Sequence, residues 1–343
     1  MKVGIIGCGK IAQTRHIPEY TENPNTEIVA YYDLDFKRAE SLACRYGGKA
    51  YQTVDELLEN DEIEAVSICT ANNVHAEMTL KALRAGKHVL CEKPMAVTYN
   101  ECISMEEMAK KTGLCLMIGQ NQRFTKAHIR AKKMIEQGKI GKVLTFRTTF
   151  GHSGPETWSV DAGSDNWFFD RKRAVMGAMA DLGVHKTDLI QFLLNDHIVE
   201  TTARMFTLDK TNSKGEPIKV DDNAICIYRM KSGVVGTMTA SWTYYGEEDN
   251  STYIYGTEGI MKIYADPKYS IEIEKRNNEK EYYDIDTIQT NESQTKSGVI
   301  DAFVNAVING LEPPADAESV LSAMKAVFAS IESSEQNRTV TIN

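Results

Sequence analysis

Over residues 1–120, short apolar, β-branched runs alternate with longer stretches of helical periodicity. The runs fall at residues 3–6, 28–32, 65–69, 88–91 and 114–118, and the helical patterns at 10–20, 36–46, 74–85 and 97–111. Strands that alternate with helices form β-α-β units, whose strands are parallel. Right-handed crossovers then cover both faces of the sheet. Gly47-Gly48 and Gly86 stand where left-handed helix caps belong. The pattern predicts a doubly wound α/β domain.

The pattern changes at Asn121. A helical stretch at 125–137 ends at Gly138, and a strand is expected at 143–150. Residues 151–175 form a long loop rich in Gly, Ser, Asp and Trp; loops of that length in compact domains are usually functional. A helix is expected at 179–194, and strands in hairpins over 198–275. Within 234–243 the residues alternate: Val234, Met238, Ala240 and Trp242 share one face, and Val235, Thr237, Thr239, Ser241 and Thr243 the other. Helical patterns at 297–309 and 317–334 and a short strand at 340–342 close the chain. This half reads as an α+β domain with a large, mostly antiparallel, open-faced sheet. The expected division is 1–120 and 121–343.

Size and composition agree with two ordinary globular domains: 343 residues, 42% hydrophobic and 25% charged. A formal net charge of -9 disfavours a nucleic-acid partner. No run approaches the roughly 20 apolar residues of a membrane span, and the first residues lack signal-peptide grammar, so a cytoplasmic location and no membrane partner are expected. The seven cysteines are scattered without C-x-x-C pairs, which argues against a disulfide framework. Cys8, Cys69, Cys91 and Cys115 lie in or beside apolar runs, as small hydrophobes do. Asp161, Asp165 and Asp170 superficially suggest a metal loop but lack the glycine and terminal glutamate of a calcium site, so no metal is expected.

Gly7-Cys8-Gly9-Lys10-Ile11-Ala12 is G-x-G-x-x-A between a predicted strand and a predicted helix. Gly7 allows the tight turn, Gly9 leaves room for a pyrophosphate, and Ala12 permits close helix–sheet packing. The helix N-terminus offers free N–H groups to phosphates. Asp33 closes the second strand about 20 residues beyond Ala12, where a carboxylate receives the adenosine ribose. These features define a Rossmann domain and favour NAD. Lys37 and Arg38, just downstream, keep NADP as a second candidate.

Cys91-Glu92-Lys93-Pro94 follows the fourth predicted strand, so Lys93 starts on the carboxyl edge of the sheet, where ligands bind. Asp181 and His185, in Asp181-Leu182-Gly183-Val184-His185-Lys186-Thr187-Asp188, share a helical face. Blander roles for these three are a solvated turn residue, a helix N-cap and a core histidine. Asn121 and Arg123 open the second domain as crevice candidates, one as an amide contact, the other as a structural ion-pair partner. Trp158, Asn166 and Trp167 sit in the long loop, where aromatic faces pack on sugar rings or close an interface.

Gly7 to Ala12, Thr70-Ala71-Asn72-Asn73-Val74-His75, Glu92-Lys93-Pro94, residues 119–124 and residues 181–188 together resemble the Gfo/Idh/MocA family, the relatives of glucose–fructose oxidoreductase and inositol dehydrogenase, over essentially the full length. Two departures stand out. Ala71 replaces the usual proline, and Val175-Met176-Gly177 stands where the family has a Gly-Gly-Gly run.

The resemblance implies an NAD(P)-dependent dehydrogenase or reductase acting on a sugar, cyclitol or polyol hydroxyl. It places catalysis on Lys93, Asp181 and His185. Cofactor contacts fall on Gly7, Gly9, Lys10, Ile11, Ala12, Asp33, Thr70, Asn72, His75, Glu92, Lys93 and Asn121. Substrate contacts fall on Lys93, Arg123, Trp167, Asp181 and His185. His75 reads from its sequence alone as a packing or capping residue. Histidine's ordinary pKa suits a base for the hydroxyl proton, so His185 is the expected base, with Lys93 polarising the hydroxyl and Asp181 binding substrate. The resemblance also implies a homodimer or homotetramer paired through the open sheet face. Two rival functions are a non-catalytic NAD(P)-binding regulator and an NAD-dependent glycoside hydrolase.

Overall fold

The computed structural model describes residues 1–161, 163–164, 166–288 and 296–342. The chain divides into two compact units: Met1–Gln120 with Gln289–Leu321, and Asn121–Ile288 with Ser322–Asn343.

The first unit is the expected doubly wound domain. Its strands are β1 (Lys2–Ile6), β2 (Glu27–Tyr32), β3 (Lys49–Ala50), β4 (Ala65–Ile68), β5 (His88–Cys91) and β6 (Leu116–Ile118), and its first five helices are α1 (Ile17–Glu22), α2 (Phe36–Tyr46), α3 (Val54–Leu58), α4 (His75–Arg84) and α5 (Tyr99–Thr112). The six strands pair in the order β3-β2-β1-β4-β5-β6, all parallel. Strands covered on both sides read as near-continuous apolar runs, and β4 is buried throughout, Ser67 included. Capping boxes from Thr53 and Glu56, and from Thr98 and Glu101, start α3 and α5. The first helix runs over residues 10–22, with a π-helical turn at Ala12–His16 before α1.

Residues 289–321, expected in the second domain, belong to this first unit. Contacts between residues distant in sequence draw the segment back. Asn23 Nδ2 donates to Asp301 Oδ1 at 2.7 Å, the Ser297 amide donates to Glu19 Oε1 at 2.8 Å, and Ile118 N–H donates to Ala315 O at 2.9 Å, extending the β6 edge. The helix in this segment is α8 (Val299–Asn309).

The second unit holds α6 (Lys126–Glu136), β7 (Val143–Gly151), α7 (Val184–Leu194), β8 (Ile198–Phe206), β9 (Asn223–Met230), β10 (Val235–Ser241), β11 (Thr252–Gly256), β12 (Gly259–Ile263), β13 (Ile271–Lys275), β14 (Lys280–Tyr283) and β15 (Val340–Thr341). α9 (Ala317–Gln336) runs from the first unit's segment into this one. The nine strands pair in the order β14-β13-β12-β11-β7-β10-β9-β8-β15, antiparallel except for β7 with β10.

The alternation read in residues 234–243 is observed. Met238, Ala240 and Trp242 are buried, whereas Val235 is exposed. Ser241, at the end of the open face, is nonetheless buried. The covered face packs against α7, whose residues 184–191 are all buried. Thr187 Oγ1 meets the Tyr228 hydroxyl there at 2.9 Å.

Candidate active site

In the first unit, β1 turns at Gly7, with φ 92°. A Cβ there would lie 2.6 Å from the Cys69 carbonyl group, so the turn requires glycine on both conformational and steric grounds. A Cβ added at Gly9 would meet nothing within 4 Å, which leaves open space for a bulky group to approach the backbone. Ala12 is fully buried.

Asp33 follows β2. Its Oδ2 accepts from Cys8 N–H at 2.7 Å, its Oδ1 accepts from Asp35 N–H at 2.8 Å, and the Arg38 guanidinium lies 3.6 Å away. The acid is thus tied to the glycine turn, with a cation beside it. Thr70 Oγ1 is buried without a hydrogen-bond partner among the described residues, and Asn72 is buried in the short turn that follows. Open space at Gly9, a tethered Asp33 and an orphaned hydroxyl fit a dinucleotide.

Lys93, half-buried, leaves the end of β5. Its amide donates to Glu92 Oε2 at 3.1 Å. His75 has Nδ1 2.8 Å from Pro94 O and Nε2 3.1 Å from Thr70 O. Burial lowers its pKa against the pull of those carbonyls. A neutral ring has one N–H, so the shorter contact, to Pro94, is the stronger claim on it. His75 thereby ties the start of α4 to the turn after Lys93.

In the second unit, a π-helical turn at Met179–Gly183 leads into α7. It carries Asp181, and α7 carries His185; both are buried. Asp181 Oδ2 accepts from Trp242 Nε1 at 3.0 Å, and His152 Nε2 lies 3.8 Å from the same oxygen. His152 Nδ1 accepts from Gly154 N–H at 3.0 Å, which puts the ring proton on Nε2, toward Asp181. The His185 ring packs 5.8 Å from that of Phe150.

Arg123 makes a two-point ion pair with Asp188, with 2.7 and 2.6 Å contacts. That is the ion-pair reading of this residue, and it pins the turn at 121–124 to α7 through Nε and one terminal nitrogen of the guanidinium. Asn121 Oδ1 is buried without a hydrogen-bond partner among the described residues. Trp167 stacks on Phe168 at 3.9 Å, and Trp158, Phe168, Phe169 and Trp242 continue the aromatic cluster. Trp158 Nε1 and Asn166 Oδ1 are buried without hydrogen-bond partners among the described residues, so the loop keeps polar atoms in reserve.

Sequence reasoning passed over Trp242, His152 and Lys186. Trp242 was visible only as an inward residue of an alternating strand. His152 follows β7 directly, a position with no motif. Lys186 is fully buried beside His185, its Nζ donating to Asn250 O at 2.8 Å; burial lowers its pKa to about 7. Of the metal candidates, Asp165 lies outside the described residues. Among the described residues, no group of three His, Cys, Asp or Glu could hold a metal, and no helix is long and apolar enough to cross a membrane.

The departure at Val175 has a structural consequence. Its φ is 66°, left-handed backbone that costs a β-branched residue roughly 1–2 kcal/mol. Val175→Gly is expected to raise stability by about 1 kcal/mol, read as a higher urea midpoint at constant slope; a lowered midpoint would mean that the valine side chain contributes more than its backbone costs.

Fold and site define the class of two-domain, dinucleotide-binding oxidoreductases. The family profile described as "Oxidoreductase family, NAD-binding Rossmann fold" matches residues 1–120, and that of the GFO/IDH/MocA C-terminal domain matches residues 128–262. The chain is similar to 1,5-anhydro-D-fructose reductase of Ensifer adhaerens, 30% identical over 75% of this chain and 74% of that one. It is similar also to glucose-6-phosphate 3-dehydrogenase of Bacillus subtilis (strain 168), 31% identical over 68% of this chain, a match that spans 65% of the relative's own length, just under two thirds. The fold is shared with levoglucosan dehydrogenase solved with NADH and levoglucosan, TM-score 0.85 at 23% identity, covering 100% and 99% of the two chains. The chain belongs to the Gfo/Idh/MocA oxidoreductase family, and its first unit carries that family's NAD-binding Rossmann fold.

Proposed function

We propose that the protein is an NAD-dependent dehydrogenase or reductase acting on a CH–OH group of a sugar, cyclitol or polyol. The observation that carries this reading is the buried Asp181–His185 pair, its carboxylate held by Trp242, in a chain whose NAD-binding fold presents Lys93 at a strand end. The relatives' names, a glucose-6-phosphate 3-dehydrogenase and a 1,5-anhydro-D-fructose reductase, support the substrate class.

When bound, nicotinamide supplies the hydride acceptor. The residues of this chain do the rest. Lys93 Nζ donates to the reacting hydroxyl oxygen, His185 takes the hydroxyl proton, and Asp181 accepts from a neighbouring hydroxyl. The alcohol carbon thus loses a hydride and its oxygen a proton, leaving a ketone or lactone; the reverse step returns both.

The test is reduced-nicotinamide absorbance with NAD or NADP against myo-inositol, glucose 6-phosphate, levoglucosan and other polyols. Turnover supports the reading. Tight NAD binding with no turnover across the panel favours the regulatory rival.

NAD is the proposed preference, because Asp33 accepts from a ribose 2′-hydroxyl and repels a 2′-phosphate. Asp33→Ser is expected to remove the carboxylate beside Arg38 and to move the NADP:NAD affinity ratio by about tenfold or more toward NADP; a ratio unchanged in a binding titration would remove Asp33 from cofactor choice. We place the subunit interface on the open sheet face, where Ile225, Ile227 and Val235 are exposed. A monomeric mass in solution would defeat that assignment. The free cysteines fit a cytoplasmic setting.

A further inference from the structure

Behind Lys93 lies a polar chain that the proposed mechanism does not use. Glu92, almost fully buried, receives His16 Nε2 at 2.9 Å and Arg15 at 3.4 Å on Oε1, and the Lys93 amide at 3.1 Å on Oε2. His16 Nδ1 lies 3.1 Å from Ser67 Oγ, which lies 2.9 Å from the Tyr20 hydroxyl. His16, Ser67 and Tyr20 are completely buried.

The proton positions follow from chemistry. Burial pushes the Glu92 carboxyl upward, but the His16 hydrogen bond and the Arg15 charge outweigh it and hold the group well below the usual carboxylate range. An ionised carboxylate only accepts, so His16 Nε2 donates. In a neutral ring Nδ1 is then the acceptor for Ser67 O–H. Burial pushes the Tyr20 phenol up, so it stays protonated and donates to Ser67 Oγ. With that ring neutral, the hydrogen bonds of the row run from Tyr20 through Ser67 and His16 to Glu92, and Glu92 takes the Lys93 amide.

The surroundings are built to hold this carboxylate. A Cβ at Gly119 would lie 3.0 Å from it, so the end of β6 leaves room. Glu92 N–H donates to Ile68 O at 2.9 Å, anchoring the residue to β4. A buried charge is costly unless fully satisfied, and this one is satisfied by a row that ends on the backbone of Lys93.

We infer that His16 is a positioning residue for Lys93, acting through Glu92 to fix the backbone from which that side chain departs. This rests on the proposed role of Lys93 for its effect on turnover, but not for its effect on the backbone. Ring removal frees Glu92 to turn, and misplacing a catalytic group by about 1 Å costs up to 10²-fold. A glutamine at 16 can still donate an amide hydrogen to Glu92.

The test compares wild type, His16→Ala and His16→Gln by hydrogen exchange at the Lys93 amide, by NAD affinity, and by turnover on whichever panel substrate the wild type uses. The expected result is tenfold or faster exchange at Lys93 and a 10- to 100-fold lower kcat in His16→Ala, with NAD affinity within about threefold. His16→Gln should recover most of both losses. Unchanged exchange at Lys93 in folded His16→Ala overturns the inference, as does equal impairment of the two variants or a kcat loss matched by an equal loss of NAD affinity. If His16→Ala does not fold, Ser67→Ala removes the partner of Nδ1, and unchanged Lys93 exchange in it overturns the inference equally. A wild type without turnover defeats the proposed activity alone, since amide exchange still decides the positioning role.

Discussion

Replacing Lys93 with alanine is expected to lower turnover by about 10³-fold or more while NAD still binds. The argument has two parts. Oxidation of an alcohol requires its oxygen to surrender a proton as the hydride leaves, and a cation donating to that oxygen stabilises the alkoxide character that develops. The remainder of the dinucleotide site does not depend on this side chain. The open turn at Gly9 and the carboxylate of Asp33, held by the Cys8 and Asp35 amides, are formed by other segments. The check is kcat from reduced-nicotinamide absorbance together with NAD affinity from titration. Loss of both together would make Lys93 chiefly a cofactor anchor. Retained turnover would remove it from the mechanism.

The first unit was largely legible because its signals are local. Alternating runs, glycine caps and the G-x-G-x-x-A turn each lie within a few residues, and the strands they announce form the expected sheet. What escaped was short or distant. β3 has two residues and α3 five, too few for a period to show. The return of residues 289–321 to the first unit depends on pairs such as Asn23–Asp301, which no window of sequence contains.

The same division holds in the site. The candidates Lys93, Asp181 and His185 stood in motifs. Trp242 and His152 stood in no motif, and Lys186 stood in one without a role of its own. Trp242 reaches Asp181 from β10's end, His152 reaches it from the end of β7, and Lys186 finds its acceptor at Asn250. An inward tryptophan on an alternating strand reads as core, and a lysine reads as surface because lysine is almost never fully buried unless paired. Trp242 is indeed core but also donates to Asp181, and Lys186 is fully buried rather than exposed, because the partners come from across the fold.

Gly177→Ala is expected to destabilise the second unit by about 3–4 kcal/mol, combining overpacking with loss of a helix cap. The departure from a triple-glycine run leaves this one glycine in place, and the structure shows why. A Cβ at 177 would lie 1.8 Å from the Asp221 backbone oxygen. That oxygen cannot simply yield, because it accepts from Ala178 N–H at 2.8 Å, while the Asp221 carboxylate accepts from Gly177 N–H at 2.8 Å and Met179 N–H at 2.7 Å. These bonds satisfy the otherwise unpaired amides where the helix carrying Asp181 and His185 begins. Moving Asp221 would therefore shift both groups, and turnover should fall in step with stability. Urea unfolding of Gly177→Ala beside Val175→Gly separates the two causes. The first change adds a steric clash, and the second relieves backbone strain, so the midpoints should move in opposite directions. A midpoint for Gly177→Ala equal to that of the wild type would show that Asp221 can withdraw without cost, and that the start of this helix is not what fixes Asp181.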